Sequence, residues 1–130
     1  MRNRSLNYSK LYYGDIVLVD YGKRNDGRMT RGIKPSIVVS SDSSIEDERY
    51  IYVIPLYRKV ISYHKTESIL VKKNENNRLK YDEYIQPMFL QRIHKGRVSR
   101  IIGNVDDSNV LDYLSGTVGR MFNITKGGGD

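Results

Sequence analysis

Short runs of β-branched and aromatic residues, each closed within a few positions by turn chemistry, most limit what this chain can fold into. Ile16-Val17-Leu18-Val19 follows the turn pair Gly14-Asp15, Ile37-Val38-Val39 follows Pro35, and Tyr50-Ile51-Tyr52-Val53-Ile54 ends at Pro55. Ser68-Ile69-Leu70-Val71 leads into the polar turn Asn74-Glu75-Asn76-Asn77. Gln86–Leu90 and Arg100–Asn104 complete a set of about six strands. Strands this short, joined by turns with few helical stretches between them, predict a mainly β fold, a small antiparallel barrel or sandwich.

One helix is expected near the C-terminus. Val110, Leu111, Leu114, Val118, Met121 and Phe122 fall on one face of a 3.6-residue period. Asp106, Asp107 and Ser108 precede it, offering N-caps and negative charge at the positive end of the helix dipole. Gly116 and Gly119 each weaken it by roughly 1 kcal/mol relative to Ala, so it needs packing against the barrel. The 130 residues fit one domain, and 38% hydrophobic residues suffice for a core. The reading divides them into an N-terminal arm (1–12), a barrel domain (13–123) and a flexible tail (124–130).

Several chemistries are excluded or poorly supplied. The chain has no cysteine, which removes disulfides, thiolate metal sites and thiol nucleophiles, and which suits a reducing cytoplasm. No apolar run approaches the ~20 residues of a membrane span. The charged start Met1-Arg2-Asn3-Arg4-Ser5 has no apolar segment behind it, so no secretory signal is expected. His64 and His94 stand far apart without a carboxylate pair at ligand spacing. Glu46-Asp47-Glu48 lacks the pattern of a calcium loop and reads as a solvated turn. Neither a metal nor a cofactor is expected.

Charge and aromatics point to an anionic partner. There are 22 Lys+Arg against 15 Asp+Glu, a net charge of +7. The loop from Tyr21 to Lys34 carries Lys23, Arg24, Arg28, Arg31 and Lys34 against Asp26, between two good strand candidates. Long connections of this kind are functional or disordered. The loop reads either as a solvated segment or as a phosphate-contacting arm beside a groove. Tyrosine occurs 11 times, and Tyr50, Tyr52, Tyr57 and Tyr63 follow one another through the third strand and its loop. Most such rings pack a core or rim. Beside lysines and arginines they are also the parts of a single-stranded nucleic-acid groove, where stacking contributes roughly 1–3 kcal/mol per base.

The order of these segments resembles one family. Gly14-Asp15-Ile16-Val17-Leu18-Val19-Asp20, the basic loop, and Gly32-Ile33-Lys34-Pro35-Ser36-Ile37-Val38-Val39-Ser40-Ser41-Asp42 are similar to the MazF/PemK toxins. So are Ile51-Tyr52-Val53-Ile54-Pro55-Leu56-Tyr57 and the closing Val105-Asp106-Asp107 that runs into the helix. The resemblance spans roughly residues 13–122. It implies a dimeric SH3-like barrel of a type II toxin–antitoxin system, a metal-independent endoribonuclease that cuts single-stranded RNA, chiefly mRNA. It also implies a cognate antitoxin, which opposite a basic groove should be acidic.

The resemblance carries site roles onto particular residues, with substitutions. Lys34 stands where members usually have Arg before the Pro of the second strand, and Tyr57 where they have Thr or Ser. The later catalytic Arg…Asp is matched to Gln91-Arg92-Ile93-His94, with His94 in place of the acid, either a proton shuttle or an exposed residue of the turn His94-Lys95-Gly96. The implied catalytic set is Lys34, Tyr57, Arg92 and His94. The implied RNA contacts are Lys23, Arg24, Arg28, Arg31 and Gln91. The alternative is a barrel of the same kind that binds RNA or a protein but cuts poorly. A gyrase-poisoning relative would end its helix in an aromatic-bearing tip, whereas this chain has no Trp and ends Gly-Gly-Gly-Asp.

Overall fold

The computed structural model describes residues 11–23, 31–40, 49–61 and 68–127, with 122–127 described by backbone only. Arg24 and Arg28, the Glu46-Asp47-Glu48 run, Tyr63, His64, the first ten residues of the arm and residues 128–130 lie outside the described residues. The elements in chain order are β1 (Asp15–Asp20), β2 (Ile33–Val38), β3 (Tyr50–Tyr57), β4 (Ile69–Val71), β5 (Glu83–Ile85), β6 (Gln91–His94), β7 (Val98–Asn104) and α1 (Ser108–Gly127). The mainly β expectation holds. One antiparallel sheet runs β4-β5-β3-β2-β1-β7, with β6 pairing the first half of β3, and it curls into a half-barrel. Register shifts in the β1–β7 ladder, between Ile16 and Val17 and between Leu18 and Val19, supply the twist that bends the sheet.

The count differs from the expectation at 86–90. Pro87 has no N–H to give a ladder, and Pro87–Phe89 forms a single 3₁₀ turn between β5 and β6 instead of a strand. Two short strands, β5 and β6, flank that turn in place of the expected one.

Strand alternation sorts the core onto two faces. Val17, Val19, Val38, Ile51, Val53 and Val98 pack with Leu11, Tyr21 and Ile93. On the other face Ile16, Ile37, Ile54, Leu56 and Ile85 pack with Leu114 and Val118 of α1. The helix therefore buries the face that its periodicity marks. Asp107 caps it, its Oδ1 accepting from the Asn109 N–H at 2.9 Å. The helix continues to Gly127, through residues expected to form the tail. Two glycines hold the frame tight. Gly14 has φ +89, and a Cβ there would stand 3.1 Å from Leu111. A Cβ on Gly103 would lie 2.7 Å from the Asn77 backbone, so β7 can pass the Asn74–Asn77 turn only without a side chain.

Candidate active site

Register explains the first contact of the site. β2 and β3 pair Val38↔Val53, Ile37↔Ile54 and Ser36↔Pro55. Pro35 offers no N–H to either neighbour, and the β2–β3 ladder stops at Ser36. Two steps further in the same register, Lys34 stands opposite Tyr57, and its Nζ lies 4.8 Å from the centre of the Tyr57 ring, a cation–π distance. Tyr57 is 8% exposed and packs at 5.2 Å against Phe89 of the 3₁₀ turn.

The other edge of β3 brings the second group. β5 pairs Leu56↔Ile85 and Tyr57↔Tyr84, and one more step sets Arg58 opposite Glu83. Glu83 is 6% exposed. Burial raises its pKa, and the Arg58 and Lys34 cations act against that rise. The Arg58 guanidinium stacks 3.8 Å from the centre of the Tyr81 ring.

Arg58, Tyr81 and Glu83 edge a cleft of about 240 Å³ whose lining also includes Leu18, Pro35, Arg78, Lys80 and Arg100. Four of those lining residues are cationic, and among the described lining residues Glu83 is the one carboxylate. Asn77 orders the turn that leads into Arg78 and Lys80: its Oδ1 accepts from the Asn74 and Leu79 N–H groups, each at 3.0 Å, and its Nδ2 donates to Lys72 O at 2.9 Å. An open, cation-rich cleft with an exposed tyrosine face suits a phosphodiester chain with unstacked bases. Among the described residues no group of three His, Asp or Glu side chains could hold a metal ion.

The expected site residues divide into two groups. Lys34 and Tyr57 meet. Arg92 and His94 do not join them: they pair with Tyr52 and Tyr50 at the opposite end of β3, five and seven steps, or roughly 17 and 23 Å, along the strand from Tyr57. There Arg92 lies 4.1 Å from the Tyr50 ring centre and His94 packs edge-on at 5.2 Å. The His94 Nδ1 accepts from the Gly96 N–H at 2.9 Å, capping its own turn. Gln91 pairs with Val53 at the same end.

Lys23 and Arg31 are exposed on either side of the basic loop. Its base is closed by the Tyr21 N–H to Gly32 O bond at 2.8 Å and the Gly32 N–H to Gly22 O bond at 2.7 Å. Sequence reasoning missed Glu83, Arg58, Arg78, Tyr81 and Arg100. The available signal was Glu83 itself, which alternates with Ile85 and so occupies an inward position of a short strand.

A family model for the PemK-like, MazF-like toxin of type II toxin–antitoxin systems matches residues 12–116. The chain belongs to this family. It is a toxin of a type II system, built on the half-barrel with one C-terminal helix that the resemblance implied. Among curated proteins, no relative matches it by sequence.

Solved structures give the same fold. The Mycobacterium tuberculosis toxin MazF-mt6 aligns at a TM-score of 0.63 with 16% identity, over 84% of this chain and 96% of that one. A MazE–MazF structure from Deinococcus radiodurans aligns at 0.66 with 13% identity, over 87% and 96%. An endoribonuclease in complex with its cognate antitoxin, from a mycobacterial species, aligns at 0.63 with 14% identity, over 83% and 93%.

Proposed function

We propose that this PemK/MazF-family toxin is an active endoribonuclease that cuts single-stranded RNA, mRNA in the cell, at the Tyr57 end of β3. The observation that carries the reading is the buried carboxylate of Glu83 within electrostatic reach of Arg58 and Lys34, with the Lys34 ammonium held over the Tyr57 ring. Glu83 takes the proton of the 2′-hydroxyl, and the freed oxygen attacks the adjoining phosphorus in line with the departing 5′-oxygen. A carboxylate raised by burial is a stronger base than an ordinary one. Lys34 and Arg58 stabilise the charge growing on the phosphorane. The Tyr57 hydroxyl donates a hydrogen bond to a phosphate oxygen, and the leaving 5′-oxygen takes its proton from water while Glu83 returns the one it accepted to solvent. The products are a 2′,3′-cyclic phosphate and a 5′-hydroxyl, and no metal or cofactor takes part, because the RNA supplies its own nucleophile. The charge and proton roles that the resemblance gave to Arg92 and His94 fall to Arg58 and Glu83. Lys23 and Arg31, with Arg24 and Arg28 of the same loop, hold the RNA backbone.

The toxin works in the cytoplasm as a two-fold dimer, through a barrel edge and the C-terminal helix region, which aligns two basic loops along one groove. Its antitoxin is acidic and covers that groove, since carboxylates and apolar anchors can replace a polyanion there. The endoribonuclease–antitoxin and MazE–MazF neighbours support a partner of this kind.

Incubation of the purified toxin with a long single-stranded RNA in EDTA tests the reading. Discrete fragments ending in cyclic phosphate are expected. Intact RNA that shifts on a native gel would instead make the barrel a binding module. Light scattering should give twice the 15.1 kDa of one chain, and a monomer at micromolar concentration would remove the dimer.

A further inference from the structure

We infer that Tyr21 and Ser36 are positioning residues for Lys34, joined in a directed hydrogen-bond relay that runs from the base of the basic loop to the Lys34 backbone. The inference rests on the reading of Lys34 given above. Ser36 Oγ lies 3.3 Å from the Lys34 carbonyl oxygen and donates to it. A serine hydroxyl has one proton, so the 2.7 Å contact between Tyr21 Oη and Ser36 Oγ then takes its proton from tyrosine. Both residues are buried, Tyr21 at 2% exposure and Ser36 at 0%. Burial raises the Tyr21 phenol, with the Ser36 hydrogen bond acting partly against the rise, so the phenol keeps the proton that the relay requires.

Each neighbour gives the relay a purpose. Pro35, between Lys34 and Ser36, fixes its own φ and biases Lys34 toward extended backbone, but it has no N–H with which to anchor the strand. The Ser36 hydroxyl supplies a hydrogen bond next to that gap. The Lys34 side chain is then fixed twice, at its backbone by Ser36 and at its ammonium by the Tyr57 ring. Tyr21 also holds the loop base through its N–H bond to Gly32 O. The residue that closes the basic loop is therefore the one that orients the cation beside the scissile phosphate. Small misplacements of such a group are felt in turnover more than in binding.

Steady-state cleavage of a short RNA by single and double variants tests the relay. Ser36→Ala should lower kcat about tenfold with KM within about twofold, the signature of a group that acts only toward the transition state. Tyr21→Phe should lower kcat less, by about threefold, because Ser36 can still donate to Lys34 O. The double variant should fall no further than Ser36→Ala alone, since both residues act through one chain. Ser36→Thr keeps the hydroxyl and should restore most of the rate. Unchanged kcat in both single variants, or effects that multiply, would overturn the relay.

A second readout needs no catalysis: ¹⁵N relaxation of the Lys34 ammonium in free protein. Its order should drop in Ser36→Ala and stay unchanged in Ser99→Ala, which removes an exposed hydroxyl bonded to Leu18 O. Equal order in both variants overturns the relay even if the wild-type protein cuts no RNA, an outcome that would overturn the proposed function separately.

Discussion

The two ends of β3 carry similar residues in different surroundings. At one end Lys34 and Arg58 lie beside tyrosine rings, and at the other Arg92 and His94 lie beside Tyr50. At the first, Tyr57 and Glu83 are buried and a cleft opens beside Glu83. At the second, Tyr50 is 41% exposed, Arg92 and His94 are exposed, and the His94 ring is engaged by its own turn. Cations and aromatic rings are thus common to both ends, and burial is what distinguishes them. A buried carboxylate among cations has a perturbed proton affinity, and the cleavage proposed at the Tyr57 end draws on that perturbation.

Glu83→Gln should separate the ends most sharply. It keeps the shape and removes the base, and cleavage should fall by about 10²- to 10⁴-fold while RNA affinity, read by fluorescence anisotropy, stays the same or rises. Affinity falling in step with rate would make Glu83 a binding residue.

Lys34→Ala should follow, with a loss of about 10²- to 10³-fold in kcat. Lys34→Arg sharpens the point, because guanidinium is a planar fork and ammonium a point charge. A higher rate would show that the cleft still fits Arg, and a lower one that it is built around Lys. No change in either variant would remove Lys34 from catalysis.

Binding should depend on the same cleft. Replacing Arg58 or Arg100 with Ala should reduce the log–log salt slope of RNA affinity by ~0.7 for each phosphate that is no longer neutralised. Reversing Lys23 and Arg31 to Glu should weaken binding further, and unchanged affinity would make the loop a bystander.

The smallest effect concerns stability and pH. Glu83 is raised above its ordinary 4.5 in the folded state, so the folded protein holds that proton more tightly than the unfolded chain does. The stability this confers is full below the ordinary value and is lost as pH rises through the raised one. Urea denaturation across that window should show wild-type stability declining relative to Glu83→Gln. Parallel pH curves would mean that Glu83 is not strained in the fold.

Much of this frame was legible in the residues. Ile16–Val19, Ile37–Val39 and Tyr50–Ile54 read as strands because alternation and turn chemistry are local, and α1 reads from its apolar period and the Asp107 cap. The meeting of Lys34 with Tyr57 followed from the family resemblance, and its physical cause, the β2–β3 register, needed the fold. Glu83 was not legible as a site residue, because its burial depends on β5 joining the far edge of β3. Arg92 and His94 were grouped with Lys34 because nothing local shows that β6 pairs the opposite half of that strand. Gln86–Leu90 misled for a local reason: its apolar run reads as a strand, whereas Pro87 opens a 3₁₀ turn.

The most direct test is single-turnover cleavage of one RNA by Glu83→Gln and by the Arg92→Ala/His94→Ala double variant, side by side with wild type. The double variant should cut within about twofold of wild type, as expected for surface changes away from the reacting atoms, while Glu83→Gln leaves the RNA essentially intact. Wild-type cleavage by Glu83→Gln together with loss of cleavage in the double variant would place the centre at the Tyr50 end and contradict the account.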